Sequence, residues 1–129
     1  MQEKYNEATL NRPEGDRPID APVIMVNIPG LIKQIKKERA WKKNDRNAIT
    51  VFKGNKMRII LVAMHNKAEM TTEQPENMLS VQVIKGKIKL YTNATAVEVQ
   101  RKQIFVLHAH IPYKIEARKK SVFLLTVVE

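Results

Sequence analysis

The sequence predicts an all-β protein, an antiparallel sandwich or barrel, preceded by a short helix and an irregular arm. Two features lead to that class. From Ala48 onward, short runs rich in Val, Ile, Phe and Thr recur at eight- to twelve-residue intervals, separated by Gly, Asn, Pro or charged pairs. Two of the separations, Lys85-Gly86 and the charged stretch Glu116–Lys120, have the chemistry of tight turns. At 129 residues the chain has the size of one domain with one substantial core.

Residues 1–22 show no hydrophobic period and contain Pro13, Gly15, Pro18 and Pro22, which predicts an irregular arm ahead of a domain spanning 23–129. The apolar run Val23–Ile28 predicts a short strand. Pro29 and Gly30 interrupt it. In LIKQIKKERAWKK, the residues Leu31, Ile32, Ile35 and Trp41 then make a narrow apolar stripe with the lysines turned away, predicting one helical segment. The strands expected next are AITVF, MRIILVAM, LSVQVIKGKIKLYT divided at Gly86, AVEVQ, QIFVLHA, YKIEA and SVFLLTVV. No internal repeat or heptad interrupts them.

Composition narrows the function classes. Hydrophobic residues make up 43% and charged residues 28% of the chain, and the longest purely apolar run, Ile59–Met64, is far too short to span a membrane. The opening residues carry no apolar stretch of the secretory kind, and there is no cysteine to form a disulfide, a thiolate metal site or a thiol nucleophile. A cytoplasmic protein with no membrane partner is the expectation. The net charge of +10 raises nucleic acid as a partner, and seven of the 23 cations fall between Lys33 and Arg46. Against this, the chain has only seven aromatics, one Trp (Trp41), three Tyr and three Phe, and none falls in the pattern of a base-stacking RNA-binding motif. A solvated basic face is therefore favoured over a binding surface for nucleic acid or an acidic partner.

The order of the β runs, with Val83-Ile84-Lys85-Gly86, Ile111-Pro112, Ala117 and Phe123-Leu124-Leu125-Thr126 at their spacing, resembles the small single-domain cupins. The likeness covers Ala48–Val128 and extends less fully back to Val23. It implies a jelly-roll-like barrel of roughly six to eight strands, open at one end, with an interior pocket, and usually a homodimer. Metal-binding cupins present His-x-His, then Glu, then Gly, and later a His after a Pro turn. Counting back from Gly86, the Glu position falls on Leu79 and the His region on Met70–Pro75, where Glu73 is the best donor. The last His position is Tyr113. No family ligand is kept.

The resemblance therefore implies a metal-free interior with no cofactor, lined by Leu79, Val81, Val83, Tyr113, Ile115 and Ala117 and suited to a small apolar ligand. The leading expectation is a non-catalytic cupin, small-molecule-binding or accessory. The alternative is a cupin-type enzyme using Glu73 as general base and Tyr113 as hydrogen-bond donor. His108 and His110, spaced i and i+2, would share a face of a continued strand and, with Glu73, form the weaker candidate for a site holding Fe, Mn, Ni or Zn. The family pattern sets these two histidines at a strand end and turn outside the pocket.

Overall fold

The computed structural model describes residues 17–129 and the backbone of residues 4–6. Lys4–Asn6 (β1) and Arg17–Asp20 (β2) pair antiparallel, so part of the expected irregular arm is strand. Residues 1–3 and 7–16 of that arm lie outside the described residues. Pro18 is compatible with β2 because a strand at a sheet margin can lack one amide donor.

The strand expected at Val23–Ile28 does not form. Residues 23–27 have no regular structure, Val23 and Met25 are exposed, and Ile28 opens a helix, α1 (Ile28–Lys37). Asn27 supplies the reason: its Oδ1 accepts from the Gly30 amide at 3.2 Å, an N-cap. Pro29 stands in the first turn, where no amide donor is needed, so it starts the helix rather than separating two elements.

The single helical segment expected over 31–43 is two, α1 and α2 (Arg39–Lys43), divided at Glu38, whose backbone is extended. Glu38 is buried, and its carboxylate accepts from Gln34 Nε2 at 3.2 Å and from Asn47 Nδ2 at 2.9 Å. Asn47 Nδ2 also donates to the Ile35 carbonyl at 2.9 Å. A buried carboxylate must keep its partners, and holding them turns the chain between the helices.

The remaining strands are β3 (Arg46–Lys53), β4 (Met57–Met64), β5 (Glu69–Thr72), β6 (Met78–Lys85), β7 (Lys87–Tyr91), β8 (Ala96–Gln100), β9 (Ile104–Leu107), β10 (Tyr113–Ala117) and β11 (Ser121–Val128). They form a five-stranded sheet in the order β3-β4-β11-β6-β9 and a four-stranded sheet in the order β5-β10-β7-β8, with every pair antiparallel. The two sheets face each other across one core, a jelly-roll-like barrel. Strand β5 has no counterpart among the expected strands, because Glu69–Thr72 is short, half polar and without an apolar run.

Alternation along the strands assigns each face. Leu79, Val81 and Val83 of β6 and Phe123, Leu125 and Val127 of β11 meet Ile88, Leu90 and Ile115 of the smaller sheet in the barrel interior. A second core lies outside the barrel, where Ile32, Ile35 and Trp41 of the helices cover Ile49, Val51, Leu61, Ala63 and Val122 of the larger sheet. Strand β4 is thus buried on both faces, which explains its unbroken apolar run where a one-sided strand would alternate. Gly86, at φ +86°, makes the β6–β7 turn, and a side chain there would collide with the Lys120 carbonyl and Ser121.

Candidate functional site

The barrel has two ends. At one, the turns following β3, β5, β7 and β9 come together, and there an open depression of about 400 Å³ lies beside the smaller sheet. Thr71, Thr72 and Glu73 line it at the end of β5, Pro112, Tyr113 and Lys114 at the start of β10, and Tyr91, Thr92 and Asn93 at the end of β7. Pairing explains the convergence: Thr72 is opposite Tyr113, and Lys114 is opposite both Thr71 and Tyr91. Residues far apart in the chain are thereby brought to one rim. The volume is within the range of small-molecule sites.

Each side chain has a distinct position. Tyr113 points into the core, is 7% exposed and borders the depression with what remains uncovered. Glu73 is exposed in the loop that follows β5. Tyr91 is on the outward face of β7, with the ammonium groups of Lys114 and Lys89 at 4.6 and 5.2 Å from its ring centroid. Its hydroxyl donates to Glu116 Oε1 at 3.1 Å. The Arg118 guanidinium, 2.9 Å from the same oxygen, is the main cause that holds the Glu116 carboxyl below its ordinary value, with the Tyr91 hydrogen bond second. Lys114 also stands 3.7 Å from Glu69. The rim therefore offers phenol, hydroxyl, amide, ammonium and carboxylate groups, a set suited to a polar, hydroxylated ligand.

Of the six residues expected to line an interior pocket, all face inward, but only Tyr113 reaches this depression. Leu79, Val81, Val83, Ile115 and Ala117 are between 0% and 5% exposed. They fill the interior instead of lining open space, because side chains from both sheets interdigitate at close packing. Glu73 and Tyr113, the pair named from the sequence as base and donor, do border one depression. Tyr91, Thr71, Asn93 and Lys114 were missed. The alternation in Lys87–Tyr91 was a usable signal, since it sets Lys89 and Tyr91 on one face.

The three histidines do not converge. Strand β9 ends at Leu107, so His108 and His110 lie in a turn rather than on a continued strand, and His110 has φ 69°. Both are exposed, and the His110 amide donates to the Pro75 carbonyl at 2.8 Å. His65 lies at the far end of the barrel, stacked on Trp41. Among the described residues, no three His, Asp or Glu side chains group as a metal ion would require. The donor set around Glu73 therefore does not fit the metal centre that the jelly-roll barrels commonly hold.

No protein-family model and no curated protein sequence matches the chain. Its backbone is nevertheless similar to solved structures. One is a cupin superfamily protein from Desulfitobacterium hafniense, at 12% identity and TM-score 0.60, covering 66% of this chain and 78% of that one. Another is an HTH_3 family transcriptional regulator from Vibrio cholerae, at 15% identity and TM-score 0.62, covering 79% and 61%. A third is salicylate 1,2-dioxygenase from Pseudoaminobacter salicylatoxidans, solved as adducts with gentisate, at 14% identity and TM-score 0.61, covering 78% and 30%. Identities this low establish a shared fold; they carry no activity across.

Proposed function

We propose that this chain, which has the cupin fold, is a non-catalytic barrel that binds a small hydroxylated organic molecule at its mouth. The observation that carries this reading is the convergence of Glu73, Tyr113, Tyr91, Thr71 and Lys114 on one depression, beside an interior whose family ligand positions hold Leu79 and Tyr113. An apolar ligand inside the barrel is disfavoured by the packed interior. Hydroxyl and carboxylate groups on the ligand would exchange hydrogen bonds with the threonines, Asn93 and the phenols, and Lys114 would balance a negative charge.

The reading includes a homodimer. Helices cover only part of the outer face of the larger sheet, and beyond them Met57, Met78, Ile104, Val106 and Val128 are exposed. Between these stand Ser80, Gln82 and Thr126, so the patch is uncharged on a chain of net charge +10. Two copies of a cationic protein meet with least repulsion through an uncharged face. A second copy packed on this patch would also shield β9, which ends the larger sheet.

The test has two parts. Elemental analysis of untagged protein purified without added metal should give no stoichiometric Mn, Fe, Ni, Cu or Zn; a stoichiometric metal would overturn the metal-free reading. Thermal-shift screening with monosaccharides, sugar acids and hydroxybenzoates should give a stabilising hit that Tyr113→Phe and Glu73→Gln weaken. Either no hit or a hit indifferent to both substitutions would count against a site at the mouth.

A further inference from the structure

The basic residues outside the helical segment look scattered in the sequence, but the fold gathers them. Four turns close the end of the barrel opposite the depression: those after β4, β6, β8 and β10. They carry Lys67; Lys85 and Lys87; Arg101 and Lys102; and Arg118, Lys119 and Lys120. Between the strands these turns hold no Asp or Glu, and of the strand residues that flank them, Glu69 is the one acid against Lys85 and Lys87. Counted with the same flanking residues, the opposite turns hold two lysines, Lys53 and Lys56, against Glu73 and Glu76. The barrel is therefore polarised along its axis, with its cations concentrated at the closed end.

Backbone hydrogen bonds stitch this end together. The Arg118 amide donates to the Lys87 carbonyl at 2.9 Å, the Lys67 amide to Ala117 at 2.8 Å and the Lys102 amide to Val83 at 3.0 Å. The hydroxyl of buried Ser121 shares its one proton between the Lys119 and Lys87 carbonyls, at 2.7 and 3.0 Å, and accepts from the Lys87 amide. Lys67 and Lys102 both occupy left-handed conformations, φ 72° and 73°, where glycine would sit without strain. The charges are thus carried on a fixed framework.

Neutralisation is incomplete. Arg118 pairs with Glu116, and Lys87 is 3.7 Å from Glu98. Among the described residues, no ion pair engages Lys67, Lys85, Arg101, Lys102, Lys119 or Lys120. Lys36 of α1 adds to the group: its ammonium is held below its ordinary value first by burial, then by repulsion from Lys85 and Lys120. The nearby Asp45 is engaged by Arg46 at 3.1 Å.

We propose that this basic end binds the phosphodiester backbone of nucleic acid, without reading its sequence. Cations presented together by a rigid framework replace condensed counterions along a polyanion. The one Trp is buried against His65, and Tyr91 stands at the other end, so that among the described residues no Trp or Tyr forms a platform here for bases. Among the described residues, no exposed large apolar side chain lies within these turns, and Ile104, which flanks one, is on the outer face of β9, so they present no apolar wedge for a bilayer. Contact with the backbone alone is what remains.

The test is fluorescence anisotropy with labelled random-sequence duplex DNA and single-stranded RNA over a range of salt concentrations. Binding should weaken with a log–log salt slope of about −4, corresponding to roughly four or five phosphate contacts. Lys119→Glu with Lys120→Glu should lower affinity by about tenfold or more, because two contacts become repulsive. Lys53→Glu with Lys56→Glu makes the same change of net charge at the opposite end and should leave affinity within about twofold. All four side chains are exposed, and circular dichroism checks that both variants fold. No binding at the lowest salt, equal loss in the two variants, or binding to anionic vesicles but to neither nucleic acid would overturn the proposal.

Discussion

The imidazole of His65 lies flat against the indole of Trp41, with ring centroids 3.5 Å apart and planes 16° apart, and its Nε2 is 2.8 Å from the Trp41 carbonyl oxygen. A carbonyl only accepts, so Nε2 carries the proton and donates. The contact joins α2 to the end of β4, because His65 directly follows that strand and its own amide donates to the Asp45 carbonyl at 2.9 Å. His65→Ala should lower stability by about 1–2 kcal/mol through the lost stack and hydrogen bond. Trp41 is the one Trp of the chain, so its emission should shift to the red in the folded variant. An unchanged spectrum and melting temperature would show that the stack contributes nothing.

Gly86→Ala should be the most damaging single-methyl change at a turn. The residue would need φ +86° and would press its Cβ on the Lys120 carbonyl and the Ser121 side chain, which is fully buried. Strain of this kind costs about 2–3 kcal/mol. Urea titration should show a lower midpoint with an unaltered m-value. Preserved stability would mean that the two turns can move apart.

On the proposed homodimer, Ile104→Lys or Val106→Lys should give a folded monomer and the parent a dimer. Both side chains are more than half exposed on β9, so a lysine is tolerated in the single chain but faces its own copy across the uncharged patch. Sedimentation velocity distinguishes the outcomes. A parent that is already monomeric, or a variant that remains dimeric, would remove this face from consideration.

Acid should expose the Glu116 cluster. Its carboxyl is held below the ordinary 4.5, so the unfolded chain binds more protons in the window beneath that value. The stabilisation is complete above about 4.5 and is lost as pH falls through the depressed value. Glu116→Gln should flatten the acid limb of the stability profile, with Asp45 still contributing in the same direction. The group is solvent-facing, so the effect should be small and should shrink in high salt. An acid limb of unchanged slope would show that the cluster does not stabilise the fold.

The strands that were legible in the sequence are those whose pattern is decided locally. Tyr113–Ala117 alternates and pairs on both sides, and Ser121–Val128 is a long β-branched and aromatic run; both begin and end as expected. Where local preference is weak, pairing or capping decides. Glu69–Thr72 is a strand because β10 supplies its partner, and Val23–Asn27 is not one, because Asn27 commits the following residues to α1. The division at Glu38 depends on Asn47, nine positions away, which no periodicity reveals. The site was half legible: Glu73 and Tyr113 came from family spacing, whereas Tyr91 and Lys114 join them only through strand register. Similarly, counting cations along the chain drew attention to Lys33–Arg46, and only the topology brings the four basic turns to one end.

The larger sheet has its last-made strand in its middle. β11 stands between β4 and β6, each of which pairs on its other side with β3 or β9. On a ribosome, the β3–β4 hairpin emerges early, yet one edge of β4 has no partner until Ser121–Val128 has been synthesised. The same is true of β6. From the completion of β6 at Lys85 until Ser121–Val128 is made, the chain therefore carries two open, apolar edges, the kind of surface that draws chaperones or a neighbouring nascent chain. Closure of the barrel is a late event that joins distant segments at once, so folding should be slow for a chain of this length and should depend on how long those edges stay protected.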